Sequence, residues 1–259
     1  MDGSPTPTYI GGPTALIEWR GLRLLTDPTF DPAGSVYELP AYTLRKLQGP
    51  ALDPGELGHI DAVLLSHDHH LDNLDNAGRA LLGQAERVLC TGEGAPRLEG
   101  GASGLAPWES VSIGSAAAAS LTITATPARH GPAGGDRGPS IGFACAFADR
   151  PQEVLYFSGD TVLFAGVEEV AERFAVRYAL LNAGAAHVAA AGSSHLTLTA
   201  QEAVAVAQMM SQALIVPLHY EGWEHFSEGR ADLERAFAKA GLIERLLWAP
   251  AGQAVALAR

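Results

Sequence analysis

The stretch Leu64-Leu65-Ser66-His67-Asp68-His69-His70-Leu71-Asp72-Asn73 decides the reading of this chain. An apolar, strand-like run ends at Ser66, and three imidazoles and two carboxylates follow within six residues. Neutral imidazole and carboxylate are the usual protein ligands of zinc and similar divalent ions. In an extended chain His67 and His69 turn to one side. One helical turn from His69 would bring the Asp72 carboxylate beneath the same point. Read alone, the run also fits a His-rich loop of solvated surface at a strand end.

The rest of the composition narrows the function. A chain of 259 residues is long enough to bury a full core, and one domain spanning 1–259 is expected. Its 47% hydrophobic and 18% charged content is that of a globular chain, not a disordered one. The net charge of −12 argues against binding along a nucleic-acid backbone, which needs clustered Lys and Arg. Lys46 and Lys239 are the only lysines. The partner expected is therefore a small molecule, with neither nucleic acid nor membrane involved. Cys90 and Cys145 each lie in an apolar stretch and read as buried thiols of a reducing, cytoplasmic compartment. No charged segment followed by an apolar one marks a secretory signal, and no apolar run approaches the length of a membrane span.

Strands and helices alternate in two unequal halves. Residues 14–19 and 22–26 read as a hairpin across Arg20-Gly21. Residues 62–66 form a short, wholly apolar strand of the kind buried on both faces. Helix is expected over 73–84, and strands over 87–91, 111–113, 121–126 and 141–147, with a Gly/Pro-rich loop at 131–139. In the second half, strands are expected at 154–158, 178–182 and 214–218, and closing strands within 246–257. Helices are expected at 164–174, 199–211 and 230–240, the second opened by Thr199 with Glu202 at capping-box spacing. The Ala-rich run 115–120 is too short to matter. Strands mixed with helices in this order suggest two sheets, or a sandwich covered by helices.

Three further strands end on His or Asp. Thr126-Pro127-Ala128-Arg129-His130-Gly131, Ser158-Gly159-Asp160-Thr161 and Pro217-Leu218-His219-Tyr220 each place one such residue where an apolar run stops. Catalytic groups gather on loops that a rigid sheet positions. With the opening Tyr9-Ile10-Gly11-Gly12-Pro13-Thr14 and Leu25-Thr26-Asp27-Pro28, these motifs run in an order that resembles the metallo-β-lactamase fold superfamily. Within it, the chain is similar to the UlaG-like metal-dependent hydrolases. The resemblance covers nearly the whole chain and implies an α/β fold, an αββα sandwich of two mixed sheets flanked by helices, with the metal site at one edge between the sheets.

Carried over residue by residue, the resemblance implies that His67, His69 and His130 hold a first metal. Asp160 would bridge two metals, and Asp72 and His219 would belong to the second. Asp27 matches a carboxylate behind the metal-binding loop, a sensible place for the acceptor that ligating imidazoles need; an ordinary turn residue before Pro28 reads equally well. The chain departs from the family at its central His-x-His-x-Asp-His motif. Without a gap, Leu71 stands in place of the Asp. With one inserted residue, Asp72 remains the Asp, Asn73 replaces the last His, and Leu74-Asp75 fit the pair common after it; this register is favoured. A third register uses Asp68, His70 and Asp72 and discards His67. Either His70 or the Asn73 carbonyl would then complete the second site, the latter suiting magnesium or manganese better than zinc.

The cofactor implied is Zn2+, one ion or two, with Mn2+ or another divalent ion as alternatives. Such an ion lowers the pKa of bound water from ~15.7 to about 7, which makes hydroxide available at neutral pH. The leading function is hydrolysis of a small ester, lactone or phosphodiester, with Asp72 as the catalytic carboxylate that orients hydroxide or returns a proton. A nuclease of the same fold and a non-catalytic metal-binding protein are the alternatives. His195, Tyr220 and His225 are candidates to line the substrate pocket, Tyr220 as a donor to an oxyanion. His59 and His187 have no constellation around them.

Overall fold

A computed structural model describes residues 3–98, 101–114, 120–134 and 137–258. The hairpin across Arg20-Gly21 forms as expected, joining β2 (Thr14–Trp19) to β3 (Leu22–Thr26). Both turn residues have positive φ, 51° and 88°, the twist that suits a two-residue hairpin. β1 (Thr6–Gly11) pairs on the other side of β2. Beyond β3 the pairing turns parallel through β6 (Ala62–Leu64), β7 (Val88–Thr91) and β8 (Ser103–Leu105). These make a six-stranded sheet in the order β1-β2-β3-β6-β7-β8. The short ribbon of β4 (Val36–Glu38) and β5 (Thr43–Arg45) stands apart.

The second six-stranded sheet runs β14-β13-β12-β11-β10-β9. Its strands are β9 (Ser110–Ile113), β10 (Leu121–Pro127), β11 (Ile141–Phe147), β12 (Val154–Phe157), β13 (Val176–Asn182) and β14 (Leu214–Leu218). It is antiparallel from β9 to β12 and parallel from β12 to β14. The largest apolar cluster joins Ile17, Trp19, Leu24 and Leu64 of the first sheet to Ile123, Phe143 and Tyr156 of the second.

Helices cover the outer faces. α1 (Asn76–Leu81) packs through Leu81 onto Leu16, Leu25 and Val63 of the first sheet. α2 (Ala165–Arg173), α3 (Ala200–Met209) and α4 (Arg230–Lys239) bury Val167, Val206 and Phe237 with the second. The architecture is the αββα sandwich of mixed sheets that the resemblance implied. Thr199 caps α3 with the expected box: its Oγ1 accepts from the Glu202 N–H at 3.2 Å, and Glu202 returns to the Thr199 N–H at 2.9 Å.

Two expectations are corrected. The segment 246–257 makes no strand among the described residues, only single bridges of Leu246 to Ile215 and of Ala254 to Thr8. A turn in which Pro250 C=O accepts from Gln253 N–H interrupts it. The helix expected from residue 73 begins at Asn76, because His70 C=O first accepts from both Asn73 and Leu74 N–H and Asp75 then caps α1. All but Ser120 of the run 115–120 lies outside the described residues.

The two sheets are laced together at one edge. Ser66 C=O, past the end of β6, accepts from Ile141 N–H of β11 at 3.1 Å. Gly12 C=O, in the first turn, accepts from His219 N–H at 2.7 Å. The ends of β6, β10, β12 and β14 therefore meet at this edge.

Candidate metal centre

His67 follows β6, fully buried, and its ring is held from behind. The Ser66 hydroxyl donates to Asp27 Oδ2 at 2.7 Å, so the His67 Nδ1 contact at 2.9 Å is a hydrogen donated to Ser66 Oγ. That fixes the tautomer and leaves Nε2 a bare lone pair. His130, beyond β10, is held in the same sense: Nδ1 donates to the Leu196 carbonyl at 2.9 Å, again freeing Nε2. Asp27 lies behind the loop and accepts from Ser66 N–H, Ser66 Oγ and Asn73 Nδ2. An imidazole whose far nitrogen is committed to an acceptor is oriented for a cation.

Facing those two lone pairs is His70. Its Nδ1 lies 3.0 Å from His67 Nε2 and 2.9 Å from His130 Nε2. His69 sits alongside, within reach of a common ion with His67 and His70, and its Nε2 is committed to the Arg137 carbonyl at 2.9 Å. His70 thus adds a further imidazole beside the expected His67, His69 and His130, its ring 4.9 Å from that of His67 and 4.8 Å from that of His130. The chain bends at residues 68–69 instead of running extended, so residues two and three positions on, His69 and His70, both stand beside His67. Asp68 drives the bend: its carboxylate turns away to take two bonds from Arg97, at 2.8 and 2.6 Å. Asp68 is thereby committed elsewhere.

Asp160 stands beyond β12 after Gly159, whose φ of +56° and closeness to Ser66 leave no room for a Cβ. One oxygen, Oδ1, accepts from Asn182 Nδ2 at 2.7 Å and from His219 Nδ1 at 3.0 Å. The other, Oδ2, lies 3.7 Å from His130 Nε2. His219, at φ +53° just past β14, points its Nε2 toward Asp72 Oδ2 at 3.6 Å. His225 Nε2 lies 2.9 Å from the same oxygen. Two clusters result, His67–His130–Asp160 with His70 beside them, and Asp72–His219–His225. Asp160 stands between them, one oxygen toward each.

The electrostatics suit a cation. Burial, reinforced by His70 and His130, pushes the His67 imidazolium well below its usual range, and burial with His130 takes His70 down to about 3. Burial would raise Asp72 and Asp160, but the surrounding imidazoles hold both carboxyls below the ordinary range. Burial pulls His219 down, and Asp160 more than reverses it. Asp27, buried, is pushed up to about 7 despite the bonds from Ser66 and Asn73. At His67 and His70 burial thus favours the neutral imidazole that a divalent ion requires, with ionised Asp72 and Asp160 nearby. Asp160 Oδ2 and His219 Nε2, both buried, have no hydrogen-bond partner among the described residues. Such atoms are costly unless something satisfies them. His70 Nδ1 cannot supply one proton to His67 and His130 together. The donor set fits a metal.

Other candidates fall outside. Tyr220, past the end of β14, packs its ring against Tyr9 and Trp248 in the core. His195 is paired with Glu202 at 2.9 Å, on the cap of α3. Asn73 is fully buried with its amide nitrogen on Asp27. His225 lies at the cluster itself, not merely along a cleft. His59 sits on the surface between Asp61 and Glu86, and half-buried His187 bonds the Gly192 carbonyl.

Two mixed sheets between helices, with this imidazole–carboxylate cluster at their shared edge, define a protein of the metallo-β-lactamase fold. More particularly, the chain belongs to the beta-lactamase superfamily domain family, whose model matches residues 22–220. It is similar to a UPF0173 metal-dependent hydrolase of Methanoregula boonei, 28% identical over 217 residues, covering 80% of this chain and 89% of the relative. Among solved structures it is similar to isothiocyanate hydrolase from Delia radicum gut bacteria, with a TM-score of 0.84 at 21% identity over 98% and 100% of the two chains. It also resembles the metallo-beta-lactamase fold protein YhfI from Bacillus subtilis, TM-score 0.60 at 15% identity over 97% and 98%.

Proposed function

We propose that this chain is a metal-dependent hydrolase of a small-molecule ester, lactone or phosphodiester, with zinc, or alternatively manganese, as its ion. The observation that carries the reading is the convergence of His67, His70, His130 and Asp160, where the bare Nε2 atoms of His67 and His130 both face His70 Nδ1, which has at most one hydrogen to give, and Asp160 Oδ2 has no partner among the described residues. Three imidazoles and a carboxylate suit zinc best. His67, His70, His130 and Asp160 would hold a first ion, and Asp72 and His219 a second, with Asp160 shared. An ion bound there would supply hydroxide at neutral pH and polarise the substrate's carbonyl or phosphoryl oxygen.

The chain's own residues do the positioning. Ser66 with Asp27, and the Leu196 carbonyl, keep the His67 and His130 rings from rotating. Asn182 fixes Asp160 so that one oxygen stays free. Asp72, fixed by His225 Nε2 at 2.9 Å, is a carboxylate placed to orient an attacking water or return a proton to the leaving group. The net charge of −12 favours a small substrate over a nucleic acid. Residence in a reducing compartment is proposed with it; Cys90 and Cys145 are both buried free thiols.

The test is turnover of ester, lactone, phosphodiester and β-lactam panels before and after chelation, with isothiocyanates added because a protein of the same fold is named for them. Activity is expected to vanish on stripping and return with zinc or manganese. His67→Ala and Asp160→Ala should each lower metal content and cut turnover at least roughly 100-fold. Full turnover by stripped protein would contradict the proposal, as would less than one bound ion per chain with no turnover.

A further inference from the structure

We infer that His225, from the loop after β14, is the imidazole that completes the second metal position, replacing the histidine that Asn73 displaces in the central motif. The inference rests on the metal-centre reading above and concerns which residue finishes it. The second cluster would otherwise offer one imidazole, His219, and the carboxylates of Asp72 and Asp160. Asn73 commits its amide nitrogen to Asp27 Oδ2 at 3.0 Å, and its carbonyl oxygen, buried without a partner among the described residues, is a neutral oxygen that suits zinc less well than an imidazole.

His225 has the opposite character. Its Nε2 lies 2.9 Å from Asp72 Oδ2, and its side chain is 8% exposed. Its ring centroid is 6.4 Å from that of His219, nearly perpendicular to it, so both rings approach the carboxylate from different directions. Nδ1 is buried with no hydrogen-bond partner among the described residues.

The backbone shows that this placement is built. His225 C=O accepts from His187 N–H at 2.8 Å, while the neighbouring Glu224 and Ser227 N–H donate to Arg45 and Gly184 carbonyls. Trp223, two residues earlier, is buried among Tyr37, Leu44 and Leu196, which anchors the loop to the core. The loop is therefore fastened on both flanks, and His225 is aimed inward by packing that reaches across the fold. A ligand on a fastened loop is held in place without the long helical turn that follows the central motif.

Metal content and affinity test this without reference to activity. Stripped wild type, His225→Ala, His225→Gln and Asn73→Ala are each titrated with Zn2+ under a competing chelator and with Co2+ by visible absorption. Wild type is expected to take two ions. His225→Ala and His225→Gln should keep the first and bind the second roughly 100-fold more weakly, while Asn73→Ala keeps both. His225→Gln preserves a polar side chain of similar reach, so it reports on the nitrogen ligand even if the alanine variant unfolds. In His225→Gly, added imidazole should restore the second ion and its absorption band, which a merely structural role would not produce. The inference is overturned if the His225 variants bind both ions as wild type does, or if Asn73→Ala sheds the second ion and His225→Ala does not. Wild type that binds one ion overturns this inference alone; wild type that binds none overturns the metal-centre reading with it.

Discussion

At the scale of single residues, the centre is a set of protonation states chosen by burial. His67, His69 and His70 are all pushed down, chiefly by burial, so the metal-free native chain refuses protons that an unfolded imidazole accepts below about 6.5. For such groups stability is present above the unfolded pKa and is lost as pH falls toward the folded one. Asp27 works in the other direction. Its carboxyl rises from 3.8 to about 7, so its contribution is present at low pH and lost as pH climbs through that window. His219, raised, likewise loses its share above 6.5. Between pH 6.5 and 4 three lowered imidazoles oppose one raised carboxyl, so the metal-free protein should lose stability on acidification, on the order of a few kcal/mol. Urea unfolding midpoints across that range check this; a midpoint that rises on acidification would show that the burial of Asp27 dominates. The bound metal should steepen the loss, since protons and the ion compete for the same nitrogens.

At the scale of elements, the caps and strand ends were largely written in the chain. Thr199→Ala should cost about 1 kcal/mol by removing a cap whose partner Glu202 is already in place, lowering the melting temperature by roughly 2–4 °C. Thermal melts of the metal-free variant measure it, and an unchanged melt would show that packing of α3 overrides its cap. Strand periodicity located β2, β3, β11 and β14 to the residue, because apolar runs bounded by Gly, Pro or Asp leave little latitude. The His or Asp at the ends of β6, β10, β12 and β14 was equally legible. What the pattern could not carry was a bend. That His70 joins His69 beside His67 goes with a bend in which Asp68 is held by Arg97, twenty-nine residues on, and local spacing is blind to that. His225 was legible only as a histidine after a strand; its partner Asp72 is 153 residues distant in sequence. The closing segment 246–257 looked like strand because it is apolar, yet one turn at Pro250 leaves it with single bridges.

At the scale of the whole molecule, the two sheets exist to bring four strand ends to one edge. The Ser66–Ile141 and Gly12–His219 backbone bonds tie that edge shut, so ligands from far-apart segments are held without any one loop bearing the whole site. Division of labour between the sheets follows: the first contributes His67, His70 and Asp72, and the second His130, Asp160 and His219. A metal should therefore report on the docking of the sheets as much as on any loop. The most direct measurement is anomalous diffraction at the zinc edge from crystals grown with zinc. The expectation is one peak among His67, His70, His130 and Asp160, and a second against Asp72 and His219, roughly 3.5–4 Å away. A first peak coordinated by His69 in place of His70, or no peak at the shared edge of the sheets, would contradict it.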